Sequence, residues 1–208
     1  MTTEDVIAIR VPTPFAVGDV IVYLVKGDAL TLIDAGPNTK EAARALQEQL
    51  AAVNVKLSDI EQVVLTHHHA DHAGLLDIFS DEIEVIGHAF NEPYISRDQD
   101  FMDWQKRFFQ KLLPELGVPF DTGKAEKLIR SAYAFSCTRS LTKSIREGMG
   151  IDGLEAGLCW RCLDMLNRIS FCSMKKAEGC LAAIYCWQTA HLIRFWKRRK
   201  RETSGQSL

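Results

Sequence analysis

The chain has 208 residues, with 25 Lys and Arg against 27 Asp and Glu and a formal net charge of -2, a balance that gives no long-range pull toward nucleic acid or anionic membranes. Its length suits one domain, and no run approaches the roughly 18 apolar residues that a membrane span requires. The expectation is a cytoplasmic protein that acts on a small molecule, with no nucleic-acid or membrane partner. Met1-Thr2-Thr3-Glu4-Asp5 lacks the basic and apolar regions of a secretory signal, which argues against a disulfide framework for the six cysteines.

In chain order, Val20 to Val25 and Ala29 to Ile33 read as a hairpin of β-branched and aliphatic residues. Its turn is Lys26-Gly27-Asp28, where Gly27 is expected to supply a positive φ. Asp34-Ala35-Gly36-Pro37 ends the second strand. From Thr39 to Val53 the residues Ala42, Ala43, Leu46, Leu50 and Val53 recur at helical spacing and predict an amphipathic helix with one face on a sheet.

Gln62-Val63-Val64-Leu65-Thr66 then reads as a short buried strand, followed directly by His67-His68-His69-Ala70-Asp71-His72. Extended backbone at the strand end projects His67 and His69 to one side, because side chains alternate with period two. Asp71 and His72 follow in the turn, with Ala70 and Gly74 leaving room for it. Three imidazoles and a carboxylate in this spacing are donors for zinc or a similar borderline ion. By the same alternation His68 points away, toward solvent or behind the donors.

Glu84 to Gly87 is a further strand, and His88 after it is expected to cap or pack rather than ligate. Residues 93 to 113 carry a helical pattern with Phe101, Trp104, Phe108 and Leu112 on one face and Leu113 beside them, and Pro114 is expected to stop it. A second pattern places Ala125, Leu128, Ile129, Ala132 and Phe135 together. Aromatic stripes at helical spacing read first as core packing; the alternative is a lid over a bulky apolar acyl or ester substrate.

Thr66 to Gly74 resembles the signature of the metallo-β-lactamase-fold hydrolases, and the hairpin through Pro37 resembles their opening strands. The resemblance implies an α/β fold, a four-layer αββα sandwich. It implies a site of two Zn2+ ions, one held by His67 and His69 with a later His, the other by Asp71 and His72 with another. A later Asp bridges them. Asp71 would also orient the attacking water, and Asp34 would stand behind the ligands, although a turn and helix cap is an equal reading of that residue. The implied activity is zinc-dependent hydrolysis of an ester, thioester, lactone or amide. A mono-iron sulfur dioxygenase on the same fold is an alternative, and a non-catalytic truncated or frameshifted product is another.

The later ligands are expected as Gly-His and then Gly-Asp, and neither occurs in a suitable context after Gly74. Instead Cys137, Cys159, Cys162, Cys172, Cys180 and Cys186 crowd a segment that nears its end in Lys197-Arg198-Arg199-Lys200-Arg201. Reading the codons from their second base is closed, since Met174-Lys175 forces a stop. Reading from the third base stays open: Cys162-Leu163-Asp164-Met165-Leu166 permits Pro-Gly-His-Ala, and Cys180-Leu181-Ala182-Ala183-Ile184 permits Phe-Gly-Gly-Asp. The expected organisation is therefore a hydrolase domain over 1–161, with the metal motif at 66–74 and a helical insertion over about 91–136. Residues 162–208 read as out-of-frame translation, which would leave the cysteine cluster and basic tail without a selected role. A genuinely divergent C-terminal domain is the alternative.

Overall fold

The computed structural model describes residues 5–16, 18–115, 117, 123, 130, 133–146, 149–154, 158–160, 172–176 and 179–181. Six strands form one mixed sheet in chain order: β1 (Asp5–Val11), β2 (Val20–Lys26), β3 (Leu30–Ile33), β4 (Gln62–Val64), β5 (Glu84–His88) and β6 (Lys143–Ile145). The first three pair antiparallel; β3 to β6 are parallel. A second, antiparallel sheet consists of β7 (Leu158–Trp160), β8 (Cys172–Lys176) and β9 (Gly179–Leu181). The α/β class expected from the sequence is the class observed. Residues 162–171 and 182–208 lie outside the described residues, so the readings of Cys162, Cys186, His191 and the basic tail fall there too.

Strand alternation builds two cores from neighbouring residues. Leu24, Leu32, Val63 and Val85 enter the larger one, while Val25, Ile33, Val64 and Ile86 enter the smaller with Ile145, Ile151 and Leu154. Helix α1 (Lys40–Ala52) covers the first face. Thr39 caps it, accepting a hydrogen bond from the Ala42 N–H at 3.1 Å, and Ala42, Leu46 and Leu50 are fully buried, with Ala43 and Val53 packed at the edge. Each buried leucine contributes about 1.5–3 kcal/mol.

Several expectations need correcting. Gly27 is not among the described residues with positive φ; the connection spans Gly27 to Ala29, with Lys26 opposite Leu30, and is long enough to turn without one. The stretch after His69 is helical, not a turn: α2 (Ala70–Ala73) carries Asp71 and His72. The single helix expected over 93 to 113 is two, α3 (Glu92–Ile95) and α4 (Gln99–Glu115), broken where Arg97 adopts φ 56°. There the Arg97 guanidinium donates to the carbonyls of Tyr133, Ser136 and Cys137, each at 3.0 Å. Pro114 lies inside α4 one residue from its end. The core-packing reading of the α4 aromatics fails, since no described residue of α4 is buried. Of the second pattern, Phe135 is described, half-buried and edge-on to Phe15; Ala125, Leu128, Ile129 and Ala132 lie outside the described residues. Cys137 departs from the cysteine grouping, being fully buried in the larger core.

Candidate metal centre

The site lies beyond the carboxyl ends of β3 and β4, where open parallel sheets place their ligands. Asp34 follows β3 with φ 63°, a left-handed conformation that Asp tolerates better than most residues. Its N–H still donates to the Val64 carbonyl at 2.9 Å, so the kink turns the side chain across to the neighbouring strand end. There the carboxylate accepts from the Thr66 N–H at 2.8 Å and from the Thr66 hydroxyl at 2.7 Å, and lies 2.7 Å from His72 Nδ1. It caps no helix, since Thr39 does that.

Two tautomers follow from this network. The carboxylate can only accept, so His72 Nδ1 carries the hydrogen toward Asp34, and when the ring is neutral Nε2 is the nitrogen with the lone pair. The Thr66 hydroxyl spends its proton on Asp34, so its lone pair faces His67 Nδ1 at 2.9 Å. His67 therefore also presents Nε2. One carboxylate thus orients both imidazoles.

The ring of His67 stands 4.7 Å from that of His69 and 4.1 Å from that of His72. His67 and His72 are buried, at 1% and 7% exposure, while Asp71 is half-buried and His69 exposed, so the cluster opens on one side. The backbone holds it in place: His69 accepts from the N–H groups of His72 and Ala73, and the His72 carbonyl accepts from Ala35 at 2.7 Å and Gly36 at 3.3 Å.

Burial pushes the pKa of His67 well below the ordinary value, and the charges of His72, His69 and His68 add to it, so the ring is neutral. Burial also opposes charge on His72, but the carboxylates of Asp34 and Asp71 outweigh it and raise its pKa to about 10. Burial raises Asp71, yet the His72 hydrogen bond and the charges of His72 and His69 bring it below the usual carboxylate range.

Asp71 Oδ2 lies 3.4 Å from His72 Nε2. Two donors bound to one tetrahedral zinc at about 2.0–2.1 Å stand about 3.3–3.4 Å apart, so this pair fits a shared ion. Among the described residues no group of three or more His, Cys, Asp or Glu side chains is arranged to hold a metal ion. What is present is paired donors, not a complete coordination shell.

The structure thus brings His67, His69, Asp71 and His72 together with Asp34 behind them. His68 is half-buried and not solvated: its ring stands 5.0 Å from that of His69 and 6.3 Å from that of His67, and it is stacked on Tyr94 at 3.5 Å and 18°. His88 caps the short turn after β5, its Nδ1 accepting from the Phe90 N–H at 3.2 Å. Sequence reasoning missed the bracing by Thr66, whose only signal was its place between strand and histidines, and it missed Tyr94 altogether, because contacts between distant segments leave no local pattern.

The profile of the metallo-beta-lactamase superfamily matches residues 16–137. The chain belongs to this superfamily. It is 93% identical over 165 residues to a probable metallo-hydrolase of Bacillus subtilis (strain 168), which covers 79% of this chain and 51% of that protein. It is 42% identical over 74 residues to a beta-lactamase-like protein 2 homolog of Caenorhabditis elegans, covering 35% and 24%. The chain therefore spans about half or less of the length of these superfamily relatives. Among solved structures, a metallo-beta-lactamase family protein of Thermus thermophilus matches with TM-score 0.64 at 23% identity, over 85% of this chain and 58% of that one. The subclass B3 metallo-beta-lactamase BJP-1 of Bradyrhizobium japonicum matches with TM-score 0.53 at 12% identity, over 85% and 57%. At these identities the likeness is one of fold.

Proposed function

We propose that residues 1–161 are the first part of a zinc-dependent hydrolase of an ester, thioester, lactone or amide. His67 and His69 would serve one metal and Asp71 and His72 the other. The observation that carries this reading is the Asp71 Oδ2 to His72 Nε2 separation of 3.4 Å, with Asp34 on the far nitrogen of the same ring. Bound zinc would supply polarisation of an acyl carbonyl and acidification of a water. The protein's own part is to keep His67 neutral by burial, to hold the tautomer of both histidines through Asp34 and Thr66, and to keep Asp71 ionised as an acceptor for a water proton. Bacillus and Caenorhabditis relatives named for hydrolase and lactamase-like character support the class of chemistry.

The same reading takes residues 162–208 as out-of-frame. After His88 the chain contains one further histidine, His191, whereas the family pattern needs two more imidazoles and a bridging carboxylate. Near-identity to the Bacillus protein over 165 residues, with the match confined to 79% of this chain, supports an abrupt change, because gradual divergence would have thinned identity throughout. The chain as written is then expected to show little turnover.

Sequencing the gene across the codons for Gly157 to Met165 tests the frame. A single-base change that restores Gly-His and Gly-Asp motifs is expected, and an intact frame with no such repair overturns that part. The repaired protein should bind a pair of zinc ions and hydrolyse simple esters or thioesters; a single iron with sulfur-oxidising activity would overturn the hydrolase.

A further inference from the structure

A row of aromatic rings leaves the histidine cluster and runs out along α4. It begins at His68, whose chain neighbours His67 and His69 are candidate ligands, with its ring stacked on Tyr94 at 3.5 Å. Tyr94 meets Phe101 edge-on at 4.5 Å, Phe101 stacks on Trp104 at 5.7 Å and 24°, and Trp104 on Phe108 at 5.5 Å and 17°. Positions 101, 104 and 108 share one helix face, and the row from Phe101 to Phe108 rises about 10 Å.

This face is not core. No described residue of α4 is buried, and Trp104 and Phe108 are 41% and 36% exposed. Nor, among the described residues, do its exposed aromatics offer the area that a stable protein partner covers. An aromatic side chain offers about 200 Å², so these two rings leave roughly 80 Å² each open, whereas a standard interface buries about 800 Å² on each partner. The rings of Phe101, Trp104 and Phe108 lie near parallel and offset along the helix, so the surface they leave is a narrow, elongated apolar strip suited to a hydrocarbon chain. Its continuity with the cluster means that one molecule can lie along the row and still place a polar head among the histidines.

We propose that Tyr94, Phe101, Trp104 and Phe108 form an acyl rail: the surface along which a straight aliphatic acyl chain lies while its carbonyl end enters the His67 to His72 cluster. The rail rests on reading that cluster as the hydrolytic centre and adds the substrate class, a linear acyl ester or thioester. Phe101 and Phe108 have no polar side-chain atom and contribute contact area alone. Trp104, midway between them, carries the largest ring and so the largest share.

The test measures binding without chemistry. The full chain, kept metal-free by chelator, is titrated calorimetrically with straight-chain carboxylates from butyrate to decanoate. Full burial of a methylene is worth about fourfold in affinity, and on this half-open surface about twofold per methylene is expected. In Trp104→Ala and Phe108→Ala the gain should fall to near onefold beyond the first few carbons, and Trp104→Phe should restore most of it. Both residues are exposed on a surface helix, and unchanged far-UV circular dichroism checks that the variants fold. Affinity independent of chain length overturns the rail, as does a chain-length gain that survives both alanine variants. Self-association that buries Trp104 and excludes the acids overturns it too. Loss of ester hydrolysis in the frame-repaired protein would strike the hydrolase reading alone, because acid binding to metal-free protein does not depend on it.

Discussion

Replacing Asp34 by Asn tests the bracing of the site while leaving the backbone undisturbed, since Asn also tolerates the left-handed conformation at φ 63°. The shape of the side chain is kept, but its charge is lost and an amide N–H replaces one of the oxygens shared by Thr66 and His72. In the metal-free protein His72 titrates at about 10 instead of 6.5, through Asp34 and Asp71 together. A shift of that size corresponds to about 5 kcal/mol. Asp71 remains 3.4 Å away, so removing Asp34's charge is expected to cost about half, roughly 2–3 kcal/mol, in keeping with broken buried ion pairs. The folded pKa lies above the unfolded one, so this stabilisation is complete below about pH 6.5 and fades as pH rises through about 10. The variant should therefore lose about 5–10 °C in Tm near pH 6 and little above pH 10. Thermal denaturation in chelator across that range, with an NMR titration of the His72 ring, measures both effects. An unchanged His72 titration, or an equal Tm loss at both ends of the range, would refute the argument.

Two other outcomes follow from the same geometry. A zinc ion must displace the His72 proton, while His67 arrives neutral, so zinc affinity should climb about tenfold per pH unit from about pH 6 to 9; competition titrations showing a flat profile would contradict it. Gly74→Ala drives a Cβ into the Phe135 carbonyl oxygen and Asn38 N, and brings it to 2.8 Å from Pro37 Cα. All three are backbone atoms that cannot rotate aside, so a loss of about 3 kcal/mol or more is expected in denaturant unfolding, and wild-type stability would mean that these segments do not pack as described.

Much of this site could be read locally. The donors at 67, 69, 71 and 72 lie within one strand end and the turn of helix after it, and α1 announced itself by Ala42, Leu46 and Leu50 with Thr39 at its head. Other features depended on distance along the chain. Strand β1, absent from the sequence reading, is ordered by seven cross-strand partners on β2, which no pattern within Asp5–Val11 reveals. The break at Arg97 depends on three carbonyls from the 133–137 segment. The stripe on α4 had the spacing of a core helix, and periodicity reports that a face is apolar without reporting what it meets.

Residue identity and short-range periodicity determined, without a structure, that this chain carries a cluster of histidines and an aspartate, the proposed metal donors, at the end of a buried strand in an α/β fold. Those properties depend on neighbours a few residues apart, whose relative positions the backbone geometry dictates. Tertiary structure alone decided that Asp34, 38 residues before His72, is the carboxylate on its Nδ1, that Thr66 passes the same orientation to His67, and that the α4 rings face outward from the cluster. Parallel pairing of β3 with β4 sets the first two, and the strained turn at Arg97 begins the third; each brings together groups that the sequence keeps apart.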